Sequence, residues 1–111
     1  MGDLAERVRE ALPAPRVREQ RMFGGLAFML DDRLLVCVQR GDALLVRVDR
    51  ARDAELMTRP GTGRLRMGSK ELSDGWILVD AATLQSDDEF AFWLGEALDQ
   101  HTAAEVRSAD E

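Results

Sequence analysis

The sequence predicts an α+β domain built around an antiparallel sheet, and three observations predict it. Three apolar stretches, 25–30, 33–39 and 43–48, follow one another with only Asp31-Asp32 and Arg40-Gly41-Asp42 between them. Connections of two or three residues join antiparallel neighbours and are too short for a parallel crossover. A further stretch, Trp76-Ile77-Leu78-Val79, is aromatic and β-branched, as strands are. Amphipathic helical patterns stand at both ends of the chain. The expected order is helix, three-stranded antiparallel meander, helix, one or two further strands and a C-terminal helix. With 111 residues the chain fits one domain, read as 1–104 followed by a polar tail at 105–111.

Each element has its local reason. Leu4, Val8 and Leu12 recur at i, i+4, i+8 with charges between them, the stripe of a first helix, and Pro13 and Pro15 stop it. Residues 16–22 alternate loosely and read as an extended lead-in to Arg21-Met22-Phe23-Gly24-Gly25, where two adjacent glycines mark a sharp bend. Asp49 is placed to cap a short helix over 50–58, with Ala54 and Met57 facing inward and Leu56 at its side; Pro60 and Gly61 end it. Residues 59–74 are glycine-rich and poor in apolar side chains, which predicts a long hairpin loop with a weak strand near 64–67.

The last helix has the clearest start. Ser86-Asp87-Asp88-Glu89 is a capping box, in which the Ser86 hydroxyl and the Glu89 carboxylate would each satisfy an amide at the helix start. Phe90, Trp93, Leu94, Ala97, Leu98 and His101 then share one helical face. His101 reads as a structural residue capping the end of that buried face.

Composition narrows the function. The net charge is −6, and residues 86–111 hold eight acidic residues against Arg107 alone, so general binding to a phosphate backbone starts from repulsion. Arginine supplies all the basic residues except Lys70, a bias of GC-rich bacterial coding. Cys37 is the only cysteine and lies inside an apolar strand, where it reads as a small core residue. Asp87, Asp88 and Glu89 are explained by capping and Asp31-Asp32 by a turn, leaving no carboxylate pair suited to general acid catalysis. No metal-ligand cluster, nucleophile with its base or phosphate loop is visible, so neither enzyme activity nor a cofactor is expected. No apolar run approaches the roughly 20 residues of a membrane span, and Met1-Gly2-Asp3 opens no secretory signal, so a cytoplasmic location is expected.

Two features point to binding. Consecutive amides at Gly24-Gly25 can form an anion nest beside Arg21. Arg47 shares a strand face with Leu45 and reads as a snorkelling surface residue. Were Arg21, Arg47, Arg64, Arg66 and Lys70 to converge, they would bind nucleic acid or a small anion; scattered, they favour a protein interaction.

At Met22-Phe23-Gly24-Gly25 the chain resembles the N-terminal domain of the TfoX/Sxy family of bacterial competence regulators. The likeness runs through strand 26–30, strand 34–38, Leu44-Leu45-Val46-Arg47-Val48 and Gly75-Trp76-Ile77-Leu78-Val79, covering roughly residues 4–100. It implies a non-enzymatic interaction domain accessory to transcriptional or competence regulation. Its candidate binding residues are Arg21, Met22, Phe23, Gly24, Gly25, Arg47, Gly75 and Trp76. Where similar proteins tend to carry a Gly-basic-Pro-Met-basic run, this chain has Lys70-Glu71-Leu72-Ser73-Asp74, which replaces a basic position by an acid. The family's C-terminal helical domain is expected to be absent.

Both faces of the predicted sheet are apolar. Leu26, Phe28, Leu30, Leu44, Val46 and Val48 alternate to one side, Ala27, Met29 and Leu45 to the other, while the register of Leu34 or Leu35 and of Val36 or Cys37 stays open. Three helices of about 10, 9 and 18 residues are expected to be too few to cover two faces. A homodimer or another protein partner is therefore expected on the face of Met29 and Leu45.

Overall fold

A sequence with two apolar sheet faces must hide both, and the computed structural model, which describes residues 3–12 and 14–109, does so by different means on each side. Strands β1 (Val17–Met22), β2 (Gly25–Leu30), β3 (Arg33–Val38) and β4 (Leu44–Arg47) form an antiparallel meander, and β8 (Trp76–Val79) and β5 (Thr62–Gly63) extend it in the order β1-β2-β3-β4-β8-β5. Helices α1 (Asp3–Ala11), α2 (Asp53–Leu56), α3 (Ala81–Leu84) and α4 (Asp87–Ala109) bury one face. A separate hairpin, β6 (Arg66–Met67) with β7 (Lys70–Glu71), belongs to the segment on the other.

The helix-covered core sets Trp93 and Ala97 of α4, Val8 of α1, Leu56 of α2 and Leu84 of α3 against Phe28, Val36, Leu44, Val46, Ile77 and Val79. Most of these side chains are fully excluded from water, each worth about 1.5–3 kcal/mol. On the opposite face Ala27, Leu34, Cys37 and Leu45 are buried, with Met29, Leu65, Leu72, Trp76 and Leu78 packed around them. The register shifts between Phe28 and Met29, pairing Val36 with Phe28 and Leu34 with Met29 and leaving Leu35 as the extra residue. That bulge settles the open register: Leu35 and Val36 both join the helix side, Leu34 and Cys37 the other.

Several expectations are corrected in detail. The lead-in 16–22 contains a full edge strand, β1, paired residue by residue with β2. The bend is not made by the two glycines: Phe23 (φ 55°) and Gly24 (φ 73°) form the two-residue turn, and Gly25 is the first residue of β2. A Cβ on Gly25 would stand 2.2 Å from the Val38 carbonyl oxygen, so this glycine serves the close approach of β2 to β3.

Asp49 does cap its helix, accepting from Ala51 N at 2.9 Å, but Arg50–Arg52 is a 3₁₀ turn and α2 a single α turn. Its inward residues are Asp53 and Leu56; Ala54 is exposed and Met57 half-buried, because the 3₁₀ turn rotates the α turn that follows. The weak strand near 64–67 is β6, and α3 is an additional turn whose cap, Asp80, accepts from Thr83 N at 2.8 Å. At α4 the Ser86 hydroxyl accepts from Glu89 N at 3.3 Å, whereas the Glu89 carboxylate reaches Arg59 at 2.8 Å instead of turning back to Ser86. The helix continues through 105–109, so His101 lies within it rather than at its end, with Nε2 3.3 Å from Asp31 Oδ2. Pro13 and the last two positions of the expected tail, 110 and 111, lie outside the described residues.

The count of helices did not decide the cover of the second face. Leu45 is fully buried beneath the chain's own 64–72 segment, through Leu65 and Leu72, and Met29 is half-buried at its border. A loop with two well-placed leucines does the work the helix count assigned to a second molecule.

Candidate functional site

The 64–76 segment carries the residues singled out near Gly75-Trp76 and is fastened by a clamp invisible in any local pattern. Asp53, 2% exposed, accepts from Arg64 Nη1 at 2.8 Å, from Arg64 Nη2, and from Gly75 N at 2.8 Å. Arg64 Nη1 also donates to Trp76 O at 2.9 Å. The Arg64 guanidinium, aided by the Gly75 amide and against the effect of burial, holds the Asp53 carboxyl below the usual carboxylate range. Gly75 has φ 97°, where a side chain would be strained, and its carbonyl accepts from Val48 N at 2.9 Å. The clamp thus ties α2, the loop and the start of β8 into one unit.

That unit presents Trp76 to Phe23 and Arg47. Arg47 and Trp76 are cross-strand partners, and the guanidinium carbon lies 5.3 Å from the indole centroid. The Phe23 ring stands 5.8 Å from the Trp76 ring, tilted by 59°. Phe23 occupies the left-handed region, which costs a bulky residue about 1–2 kcal/mol, while an aromatic pair returns about 0.5–1.5 kcal/mol. All three side chains are half-buried. They form an aromatic and cationic patch, Phe23 and Trp76 packing against the sheet face that carries no helix while Arg47 and Trp76 also line a cleft with Gln100 and Ala104 of α4. Met67, on the hairpin of the covering segment, is the one large apolar side chain exposed among the described residues.

The predicted residues divide into two groups. Phe23, Arg47, Gly75 and Trp76 come together as described, whereas Arg21 lines a separate hollow with Met22, Gly24, Gly25 and Arg40. The five basic residues proposed as one cluster do not converge: Arg64 is consumed by Asp53, Arg66 lies 3.5 Å from Glu71, and Lys70 is exposed on β7. A different set does, for Arg33, Arg47 and Arg50 line a cleft of about 310 Å³ together with Asp49, Asp74, Gly75, Trp76, Gln100 and Ala104. Only Arg47 of these arginines was singled out by sequence, because the three come from separate segments.

Cys37 is fully buried, its thiol pushed up to about 11 by desolvation, and Gln39 Nε2 lies 3.2 Å from its sulfur. Among the described residues no group of three or more His, Cys, Asp or Glu side chains is disposed to hold a metal ion, and no helix is long and apolar enough to cross a membrane.

The fold and this surface define a small α+β domain with one helix-covered and one loop-covered sheet face. The family model described as the TfoX N-terminal domain matches residues 10–101, and the chain belongs to that family. The match spans every strand, the Met22-Phe23-Gly24-Gly25 turn and most of α4. The chain matches no curated protein.

Proposed function

We propose that this protein is a non-enzymatic interaction domain of the bacterial cytoplasm, accessory to transcriptional or competence regulation, that engages a protein partner through Phe23, Arg47 and Trp76. The observation that carries the reading is Phe23, kept in a left-handed turn with its ring against Trp76 while Arg47 flanks the same indole. A strained bulky residue persists only where its surroundings hold it there, and aromatic and arginine side chains at a surface, half-buried as these are, are those on which protein interfaces concentrate their energy. Membership of the TfoX N-terminal domain family supports a regulatory role. Net charge supports a protein over duplex DNA, since the −6 of the molecule opposes a phosphate backbone.

The test is affinity capture from a bacterial lysate with the wild-type chain and with Trp76→Leu, followed by titration of the purified partner against both. The reading expects a stoichiometric partner whose binding weakens at least about tenfold in the variant, the scale of one lost hot-spot residue. A partner bound equally well by folded Trp76→Leu refutes it, as does submicromolar affinity for duplex DNA with a steep salt dependence.

A further inference from the structure

We propose that the cleft beneath the C-terminal end of α4 binds a small organic phosphate carrying a flat ring, of the size of a nucleoside monophosphate. The proposal goes beyond the interaction reading and does not depend on it. The cleft lies where β4 ends and β8 begins, walled by Arg33, Arg47, Arg50 and Trp76 and overhung by Gln100 and Ala104.

Two of its cations differ from most arginines of this chain. Arg7, Arg9, Arg16, Arg18, Arg52, Arg59, Arg64 and Arg66 all have carboxylates within ion-pair distance. Among the described residues Arg47 and Arg50, like Arg21 and Arg40, form no ion pair, and Arg47 instead lies over the Trp76 ring. The two acids at the cleft are engaged elsewhere: Asp49 Oδ1 accepts from Ala51 N at 2.9 Å, and Asp74 Oδ1 lies 3.4 Å from Arg64 Nη2. The Arg47 and Arg50 guanidinium groups, without an ion pair beside one concavity, suit an oxyanion with several acceptor oxygens, which each can meet in bidentate fashion. Gly75 keeps Arg50 there, since a Cβ in its place would stand 2.9 Å from Arg50 Cγ.

The flat ring follows from Trp76 and Gln100. The indole is half-buried at the wall beside Arg47, a platform on which a planar ring can stack, and the Gln100 carboxamide offers both a donor and an acceptor to a heterocycle's edge. A volume of about 310 Å³ is at the lower limit of small-ligand sites, which selects a mononucleotide-sized molecule. The net charge of −6 and the acidic α4 select against a phosphate polymer.

The experiment titrates the full chain with AMP, CMP, GMP and UMP, with inorganic phosphate, and with a duplex oligonucleotide, by calorimetry and by tryptophan fluorescence. Arg50→Gln, at an exposed position, and Gln100→Leu are titrated in parallel after circular dichroism confirms that they fold. At least one nucleoside monophosphate is expected to bind one to one, to perturb tryptophan emission, and to weaken about tenfold or more in Arg50→Gln. Inorganic phosphate is expected to bind at least about tenfold more weakly than that nucleotide. No binding of any of the four at millimolar concentration, equal binding of inorganic phosphate, unchanged binding in Arg50→Gln, or tighter binding of the duplex would each overturn the proposal.

Discussion

Replacing Asp53 removes a carboxylate that accepts two bonds from Arg64 and one from the Gly75 amide while only 2% exposed. Arg64 is itself mostly buried, its side chain 19% exposed, so after Asp53→Ala it keeps its bond to Trp76 O and the exposed Asp74 at 3.4 Å but loses its buried counter-charge. Breaking a buried pair from one side costs about 3–5 kcal/mol. Partial access of Arg64 to water places this case at about 3 kcal/mol. Asp53→Asn should cost nearly as much, because one amide face then sets donors against the guanidinium.

Asp53→Leu combined with Arg64→Met should recover much of the loss, since apolar replacement of a buried pair is often neutral. Urea denaturation followed by tryptophan fluorescence measures each value. The pH dependence has a definite sign: a carboxyl whose folded pKa lies below its unfolded value contributes stability above about pH 4–5 and loses it as pH falls through the folded value. Wild type should therefore lose stability on acidification more steeply than Asp53→Asn. A loss below about 0.5 kcal/mol in both single variants would refute the clamp, because only surface positions behave so.

Three further outcomes follow from the packing. Trp93→Ala should cost about 3–5 kcal/mol and Ser86→Ala only about 0.5 kcal/mol, since the first empties a fully buried site and the second removes a long 3.3 Å cap bond; chemical denaturation ranks them. Gly25→Ala should cost about 1–3 kcal/mol by forcing β2 away from the Val38 carbonyl, measured as a lower thermal midpoint. Leu45→Asp should unfold the chain, at more than about 4 kcal/mol, rather than convert a dimer into folded monomers; circular dichroism with light scattering distinguishes the two.

What the sequence disclosed follows its periodicities. Leu26, Phe28 and Leu30 against Ala27 and Met29 were legible as two sheet faces, and Phe90, Trp93, Leu94 and Ala97 as the buried face of a helix, because each repeats with the period of its element. Strand β1 was legible only as an extended lead-in, for Arg18, Glu19, Gln20 and Arg21 place no apolar side chain between Val17 and Met22, and an edge strand protected by charge needs none. The bulge at Leu35 breaks the two-residue period that would have assigned Leu34 and Cys37. At the surface, Met22, Phe23, Gly75 and Trp76 stood out through a family-like motif, while the Asp53–Arg64 clamp and the convergence of Arg33, Arg47 and Arg50 join residues distant in sequence. No local spacing encodes contacts of that kind.

The claim that the Phe23, Arg47 and Trp76 surface is where this domain meets its partner is tested most directly by backbone amide chemical-shift mapping of the isotopically labelled chain, titrated with the partner captured by it. The account predicts that the largest perturbations fall on residues 22–24, 47 and 75–76, around the tilted Phe23–Trp76 pair. Perturbations confined to the outer surfaces of α1 and α4, with those residues unmoved, would contradict it.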